Sequence, residues 1–183
     1  GIIHIGGDEV RYKKYWEGVP HIEAFMKKKG IKTFPDLQIM FTNRISGMLA
    51  ERGRRMMGWN EILGSDVHND GGRGAALGKL DASAIIHFWY GSDKIAAKAI
   101  REGRQVVNST SHMTYINKGY DKLPLSRSYS FEPVFAGLNP EQQKNVIGLG
   151  CQVWTEWIAD VEKLHRHVFP RIAAYAETGW TRK

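Results

Sequence analysis

The sequence predicts an α/β fold in which helices cover a parallel sheet, and three observations support this. Short apolar runs alternate along the chain with stretches whose apolar residues recur at helical spacing, a pattern typical of strands joined by helical connections. Hydrophobic residues make up 42% of the 183 residues, which is enough to build a core. The chain has one cysteine, Cys151, which excludes a disulfide-framed fold.

The first half of the chain contains two predicted strands and two predicted helices. Residues 2–5 form a short apolar run that ends at Gly6 and Gly7, which suits a strand buried on both faces and then a turn. Helices are predicted over residues 21–29 and 34–52, where Pro35 fits a first helical turn and Gly53 fits a stop. The second strand is predicted at residues 55–59.

The second half continues the alternation. Ser92 and Asp93 can cap a helix that runs to residue 102. The other predicted elements are a glycine-rich loop at 64–78, strands at 84–89 and 105–108, an irregular stretch at 110–140, a strand within 146–154 and a final helix at about 170–180. The sequence contains no repeat or linker, so residues 1–183 are expected to form one domain without a second.

Five predicted strands are too few for a closed eight-stranded (β/α) barrel, which typically needs about 250 residues. The residues alone therefore leave two architectures open. Either the sheet is open, or the chain is the later part of a larger barrel.

The net charge of +7 raises the question of an anionic partner. The basic residues are scattered, and the densest run, at residues 27–29, precedes Gly30 as at the end of a helix. We therefore expect solvated basic side chains and no nucleic-acid partner. No apolar stretch approaches 18 residues, so membrane insertion is not expected. His165 and His167 are two residues apart and unsuited to a shared metal, and no metal or cofactor is predicted.

Reactive and aromatic residues fall repeatedly at the carboxyl ends of the predicted strands, the edge where ligands bind in parallel α/β folds. In chain order they are Asp8, Glu9, Trp59, Glu61, Trp89, Tyr115, Trp154 and Glu156. Aromatic walls around carboxylates suit a pyranose sugar. Such a pocket can separate two carboxyl pKa values, as glycosidic bond cleavage requires.

Each of these features also has a structural interpretation when taken singly. Gly6-Gly7-Asp8-Glu9 could be a turn followed by a helix cap, and a single tryptophan more often belongs to a core than to a ligand site. The placement of aromatic residues after four separate strands favours a binding site, because core packing alone seldom delivers them to one edge.

The segment His4-Ile5-Gly6-Gly7-Asp8-Glu9 is similar to the signature of family-20 glycoside hydrolases, the β-N-acetylhexosaminidases. Further matches follow in the order of that family and cover nearly the whole chain. They are residues 58–63, the strand ending at Trp89, the segment around residues 115–117, residues 154–156, and residues 170–180.

The resemblance implies a (β/α)8 TIM-type barrel of which this chain holds about strands four to eight. It also implies removal of terminal β-linked N-acetylglucosamine or N-acetylgalactosamine with retention of configuration. In this family the 2-acetamido oxygen of the substrate attacks the anomeric carbon and forms an oxazolinium intermediate. The implied partners are N-acetylhexosamine-terminated glycans, and the missing half of the barrel or another copy of the chain.

The resemblance also assigns residue roles. Glu9 is the general acid and then the general base, Asp8 orients the acetamido nitrogen, and Tyr115 donates to the acetamido oxygen. The implied sugar-binding residues are Trp59, Trp89, Trp154, Glu156 and Asn117. Asn117 stands where the family commonly has Asp and brings no charge.

The sequence leaves a second functional class open, a sugar-binding fragment without catalysis, because the sugar-binding arginine and histidine of the family come from earlier strands. It does not distinguish gluco from galacto substrates. The compartment also stays open, since the first residues lack the pattern of a secretory signal. Periplasmic, secreted and lysosomal-type compartments all fit the resemblance.

Overall fold

The computed structural model describes residues 1–65, 68 and 76–181 and shows an α/β fold. Its five strands are β1 (Ile2–His4), β2 (Arg55–Trp59), β3 (Ile85–Phe88), β4 (Val106–Asn108) and β5 (Val146–Leu149). Its α-helices are α1 (Tyr12–Tyr15), α2 (Pro20–Lys29), α3 (Phe34–Ala50), α4 (Asp93–Arg101), α5 (Ser111–Thr114), α6 (Leu125–Tyr129), α7 (Pro140–Gln143), α8 (Val161–Val168) and α9 (Arg171–Trp180), and a 3-10 helix spans Asn60–Leu63.

The strands form one sheet in the order β1-β2-β3-β4-β5, and every neighbouring pair is parallel. The predicted alternation of strands and helices around a parallel sheet is therefore confirmed. Parallel strands need long crossovers, and α3, α4 and the segment from α5 to α7 lie in three of them. As a result, the carboxyl ends of all five strands lie at one edge of the sheet.

The prediction that the first strand is buried on both faces is wrong. Ile2 and Ile3 are 48% and 45% exposed. The reason is position: β1 pairs only with β2 and lies at one edge of the sheet, as β5 does at the other. Apolar composition indicates a strand, but it does not distinguish a central strand from an edge strand.

Local signals account for the helices on which the sheet rests. The Thr33 hydroxyl caps α3 by accepting from the Asp36 amide at 3.1 Å, and Pro35 occupies its first turn. Ser92 caps α4 in the same way. Gly30 ends α2 in the left-handed conformation, which glycine adopts without steric cost.

The main core lies between the sheet and its helices and is centred on the inner strands β2, β3 and β4. Its largest members include Met56, Ile86, Phe88, Ile100 and Val106. A second cluster joins α9 to the segment after α5 through Tyr175, Ile116, Leu123 and Phe131. This second cluster supports the loop that carries Tyr115.

Several elements differ from the sequence-based expectations. The stretch 110–140, expected to be irregular, contains α5 and α6, and α7 begins at its end. Helix α1 was not predicted, because it has only four residues. The region of His165 and His167 was expected to be helical or a turn, and it forms α8, in which Val161, Leu164 and Val168 recur at helical spacing. Most of the predicted loop at 64–78 lies outside the described residues. No helix within the described ranges is long and apolar enough to cross a membrane.

Candidate active site

Four aromatic side chains meet beyond the carboxyl ends of the strands, and we call them the aromatic cluster: Trp59, Trp89, Tyr115 and Trp154. The Trp89 and Tyr115 rings are stacked, with centroids 6.0 Å apart. Trp59 lies 6.4 Å from Trp89 and 6.3 Å from Trp154, and Trp154 lies 5.9 Å from Tyr115. The four rings therefore form one contiguous cluster.

Two of the four rings lie at strand ends, and the other two lie in loops. Trp59 is the last residue of β2, and Trp89 directly follows β3. Trp154 was expected at the end of the fifth strand, but β5 ends at Leu149, so Trp154 belongs to the following loop. Tyr115 follows α5 and forms an isolated parallel bridge with Gln152, which aligns the two loops.

Asp8 and Glu9 lie on a turn after β1, which we call the acidic turn (residues 6–9). Three hydrogen bonds hold its glycines: the His4 ring accepts from the Gly6 amide, the Gly6 carbonyl accepts from the Trp59 amide, and the Gly7 carbonyl accepts from the Gln38 side chain. These hydrogen bonds fix the backbone immediately before Asp8 and Glu9.

The backbone of the acidic turn requires its glycines. Gly6 and Gly7 have φ values of 74° and 96°, which L side chains seldom adopt. A Cβ at Gly7 would also come within 2.5 Å of the Ile62 side chain. Glu9 has a φ of 50°, an uncommon conformation for a residue other than glycine. Such conformations are concentrated at functional sites.

The Tyr115 hydroxyl is influenced electrostatically by the acidic turn. Burial is the main cause that raises the pKa of Tyr115 well above its ordinary value, and a hydrogen bond from the Trp154 side chain opposes it. The carboxylates of Asp8, Glu61 and Glu9 raise this pKa further. Tyr115 therefore keeps its proton at neutral pH, and its electrostatic environment includes both carboxylates of the acidic turn.

Trp89 is held by two residues of the 3-10 helix that follows β2. Its indole Nε1 donates to both carboxylate oxygens of Glu61, at 3.1 and 3.0 Å. Its backbone amide donates to the Asn60 side chain at 3.0 Å, and that side chain donates in turn to the Tyr90 carbonyl. Glu61 is only 5% exposed and also lies 2.8 Å from His68 Nε2. These contacts set the orientation of one wall of the cluster.

The position of Glu61 at a strand end was visible in the sequence, but no role was predicted for Glu61 or for Asn60. The signal that could have revealed them was available: both follow Trp59 directly at the ligand-binding edge. Their partner Trp89, however, is remote in sequence and comes from another strand. The contact depends on the parallel register that places Trp59 beside His87.

The remaining two predicted sugar-binding residues differ in environment. The Asn117 side-chain oxygen is buried and has no hydrogen-bond partner within the described part of the chain. Glu156 is exposed on the turn after Trp154, and across residues 1–65, 68 and 76–181 no hydrogen bond or ion pair is formed by its side chain. The structure thus brings Asn117 into the packed loop and leaves Glu156 exposed to solvent.

Arg171 holds the loop that carries Tyr115 and Asn117. Its guanidinium is fully buried and donates to backbone carbonyls on that loop, at 2.6 Å to Ile116, 2.8 Å to Lys118 and 3.0 Å to Leu123. It also donates to the His167 carbonyl, which joins the loop to α8 and α9. Arg171 lies within the segment 170–180 that carries part of the family resemblance, but no role was predicted for it.

Burial of His87 predicts that acid destabilises the folded chain. Burial and, secondarily, the neighbouring His4 lower the pKa of His87 from 6.5 to about 4. The pKa of His4 is also lowered by burial, with Asp8 acting in the opposite direction. Between these pH values the unfolded chain binds a proton at residue 87 and the folded chain does not. The free energy of unfolding should therefore fall as pH falls from about 6.5 to about 4.

For His87 alone, this loss should reach about 2 kcal/mol between pH 7 and about pH 4.5. Urea unfolding of the wild type and the His87→Gln variant measures it, and the variant should lose less stability over this range. His21→Gln serves as the control, because His21 is exposed. Parallel stability curves for the wild type and His87→Gln would contradict the prediction.

Among the described residues, no three His, Cys, Asp or Glu side chains are close enough to hold a metal ion together. What the site contains is a turn with two carboxylates, a protonated phenol and three indoles. This set can donate and accept protons, stabilise positive charge and cover the flat faces of a ligand.

Comparison with known proteins identifies relatives over almost the full chain. The β-hexosaminidase of Porphyromonas gingivalis is 28% identical over 191 aligned residues, which cover 97% of this chain and 22% of that protein. The bovine β-hexosaminidase α-subunit is 28% identical over 190 residues, with 99% and 32% covered. The chain spans about a fifth to a third of the length of these relatives.

Solved structures of related proteins share the fold of this chain. The family-20 exo-β-N-acetylglucosaminidase of Vibrio harveyi in complex with N-acetylglucosamine matches with a TM-score of 0.80 and 28% identity, covering all of this chain and 28% of the other. The chitobiase of Flavobacterium johnsoniae matches with a TM-score of 0.78 and 32% identity, covering 98% and 26%. The catalytic-domain pattern of glycosyl hydrolase family 20 matches residues 1–183. The chain, with its acidic turn and aromatic cluster, therefore belongs to glycosyl hydrolase family 20.

Proposed function

We propose that the protein containing this chain is a retaining exo-β-N-acetylhexosaminidase that removes terminal β-linked N-acetylglucosamine or N-acetylgalactosamine from glycans. The observation that carries this proposal is that the Trp59 amide donates to the Gly6 carbonyl, so the acidic turn begins beside the aromatic cluster. The Vibrio harveyi relative that holds N-acetylglucosamine supports the same class of ligand.

In the proposed reaction the two carboxylates divide the work. Glu9 protonates the glycosidic oxygen as the bond to the anomeric carbon breaks. The carbonyl oxygen of the substrate acetamido group attacks that carbon and forms an oxazolinium ion. Asp8 orients the acetamido N–H and stabilises the positive charge that develops there. Glu9 then removes a proton from a water molecule that attacks the anomeric carbon and opens the oxazolinium ring. Because the anomeric carbon is inverted twice, the configuration is retained.

The aromatic cluster would hold the acetamido group in line for this attack. Tyr115 stays protonated because its pKa is raised, so its hydroxyl can donate to the acetamido oxygen. Trp59, Trp89 and Trp154 would form the walls of the pocket. Glu156, which is exposed, would accept hydrogen bonds from sugar hydroxyls, and Asn117 would do so once its buried oxygen becomes accessible to the ligand.

We also propose that the five strands correspond to strands four to eight of a (β/α)8 barrel. Both edges of the sheet support this, because unpaired edge strands normally require cover. Ile2 and Ile3 on β1 are exposed, as is Ile147 on β5. Further strands of the same barrel would pair with both edges and cover these apolar side chains.

Two aryl glycosides test the proposed reaction in the complete protein. We expect hydrolysis of an aryl N-acetyl-β-glucosaminide, with the β-anomer as the first product in a proton NMR time course. The matched aryl β-glucoside has a 2-hydroxyl in place of the nucleophile and should react more than about 10³-fold more slowly, because a well-placed internal nucleophile provides a large effective concentration.

Comparable rates for the two glycosides would contradict substrate assistance. Binding of N-acetylglucosamine without any release of the aryl group would instead support the alternative class, a sugar-binding protein without catalysis.

A further inference from the structure

A chain of hydrogen bonds runs across the sheet beneath the aromatic cluster. The Gly6 amide donates to His4 Nδ1 at 3.1 Å, His4 Nε2 lies 3.2 Å from His87 Nδ1, and His87 Nε2 lies 2.6 Å from Ser109 Oγ. His4 lies on β1, His87 on β3, and Ser109 directly after β4. We call His4, His87 and Ser109 the histidine network.

These contacts permit one arrangement of protons between the neutral rings. Because His4 Nδ1 accepts from the Gly6 amide, the proton of a neutral His4 ring must be on Nε2. That proton points to His87 Nδ1, which must accept it, so the proton of His87 is on Nε2 and is donated to Ser109 Oγ. The network is therefore directional from Gly6 to Ser109.

An additional proton on either ring would break a hydrogen bond. A charged His4 would direct Nδ1–H at the Gly6 N–H, and a charged His87 would direct Nδ1–H at the Nε2–H of His4. The surroundings favour neutral rings, since burial lowers the pKa of both histidines. Among the described groups, Asp8 is the carboxylate that acts on His4, and it acts against that lowering.

The network contacts both parts of the proposed active site. Trp59 stacks on the His87 ring with centroids 4.2 Å apart and planes 23° apart, and the His4 and Trp59 rings form a T-shaped pair with centroids 4.9 Å apart. At the other end His4 holds the amide of Gly6, where the acidic turn begins. Gly150 leaves space for the histidine network because it has no side chain. A Cβ at this position would lie 2.5 Å from Ser109 Oγ and 3.2 Å from His87 Nε2.

We propose that the histidine network is a positioning device that sets Trp59 and the acidic turn relative to each other through a single directional chain of hydrogen bonds. Its effect on turnover rests on the proposed hydrolase function. A displaced Trp59 wall would move the acetamido oxygen away from the anomeric carbon, while a displaced turn would move Glu9 away from the glycosidic oxygen. His4, His87 and Ser109 are positioning residues that act through these groups.

Two measurements on the complete protein test the proposal. Ring nitrogen-15 NMR at neutral pH should show neutral His4 and His87, both protonated on Nε2. His87→Phe keeps a flat ring beneath Trp59 but removes both hydrogen bonds, and it should lower kcat by about 10- to 100-fold with a smaller change in KM, because small displacements of reacting groups are costly. Ser109→Ala should lower kcat in the same direction, and the exposed His21→Gln variant should match the wild type.

A proton on Nδ1 of His87, or a charged ring at neutral pH, would overturn the proposal. Equal kcat and KM for His87→Phe and His21→Gln would overturn it as well. If the wild type fails to hydrolyse the aryl N-acetylglucosaminide, the proposed function fails, whereas the NMR measurement still decides whether the directional network exists.

Discussion

Replacement of Glu9 by glutamine is expected to lower kcat/KM for an N-acetylhexosaminide with an alkyl or sugar leaving group by about 10²- to 10⁴-fold, the usual contribution of general acid–base catalysis. Glutamine keeps the size and polarity of the side chain but has no proton to transfer. The anchored glycines of the acidic turn should remain in place, so the loss should appear mainly in kcat. Steady-state kinetics of the purified complete protein measures it.

The leaving group provides an internal check on this result. Aryl leaving groups need less protonation as the glycosidic bond breaks, so they should mask part of the loss. A matched control is Glu51→Gln, since Glu51 is exposed on the far end of α3 and pairs only loosely with Arg52, at 3.9 Å. Unchanged turnover in Glu9→Gln would refute the assignment of Glu9, and turnover that Glu9→Gln abolishes would eliminate the non-catalytic sugar-binding alternative.

The second large effect is expected at Arg171, where substitution by methionine should lower the free energy of unfolding by at least about 3 kcal/mol. Methionine fills a similar volume but donates no hydrogen bonds. The carbonyls of Ile116, Lys118 and Leu123 would each lose a donor in a buried setting, where an unsatisfied group costs about 1–3 kcal/mol. Urea unfolding of the complete protein, followed by tryptophan fluorescence, measures the change.

Two further variants show whether this loss comes from the hydrogen bonds of Arg171 or from its charge. Arg171→Lys retains the charge but cannot reproduce the planar fork of donors, so it should recover only part of the stability. Arg166→Met is the control, because Arg166 is exposed on α8 and its pair with Glu162 is a surface contact of little expected value. A loss below about 1 kcal/mol in Arg171→Met would show that the loop holding Tyr115 does not depend on this side chain.

Much of the fold could be predicted from local signals. The apolar runs at β2, β3 and β4, the Thr33 and Ser92 caps and the glycine stop at Gly30 are each encoded within a few residues of sequence. Helix α8 also carries local signals, since Asp160 caps it and Val161, Leu164 and Val168 recur at helical spacing. The exposure of β1 within this chain could not be predicted from its residues, because an edge strand and a central strand can have the same composition.

The candidate site also has features that could be predicted from the sequence and features that could not. Sequence order places Asp8, Glu9, Trp59 and Trp89 after strands, and parallel pairing then brings them to one edge. The contact of Glu61 with Trp89 requires the register between β2 and β3 and the path of the chain between them. No spacing along the chain encodes that distance.

By itself, the sequence determined the parallel α/β class, the succession of strands along the chain, the placement of the candidate residues at their carboxyl ends, and the resemblance to one glycosidase family. These properties depend on local composition and order. Only the tertiary structure decided that Glu61 holds Trp89, that Arg171 holds the Tyr115 loop, and that His87 lies between His4 and Ser109. The physical reason is that hydrogen bonds and burial depend on distances between strands that are remote in sequence, and those distances exist only after the sheet has formed.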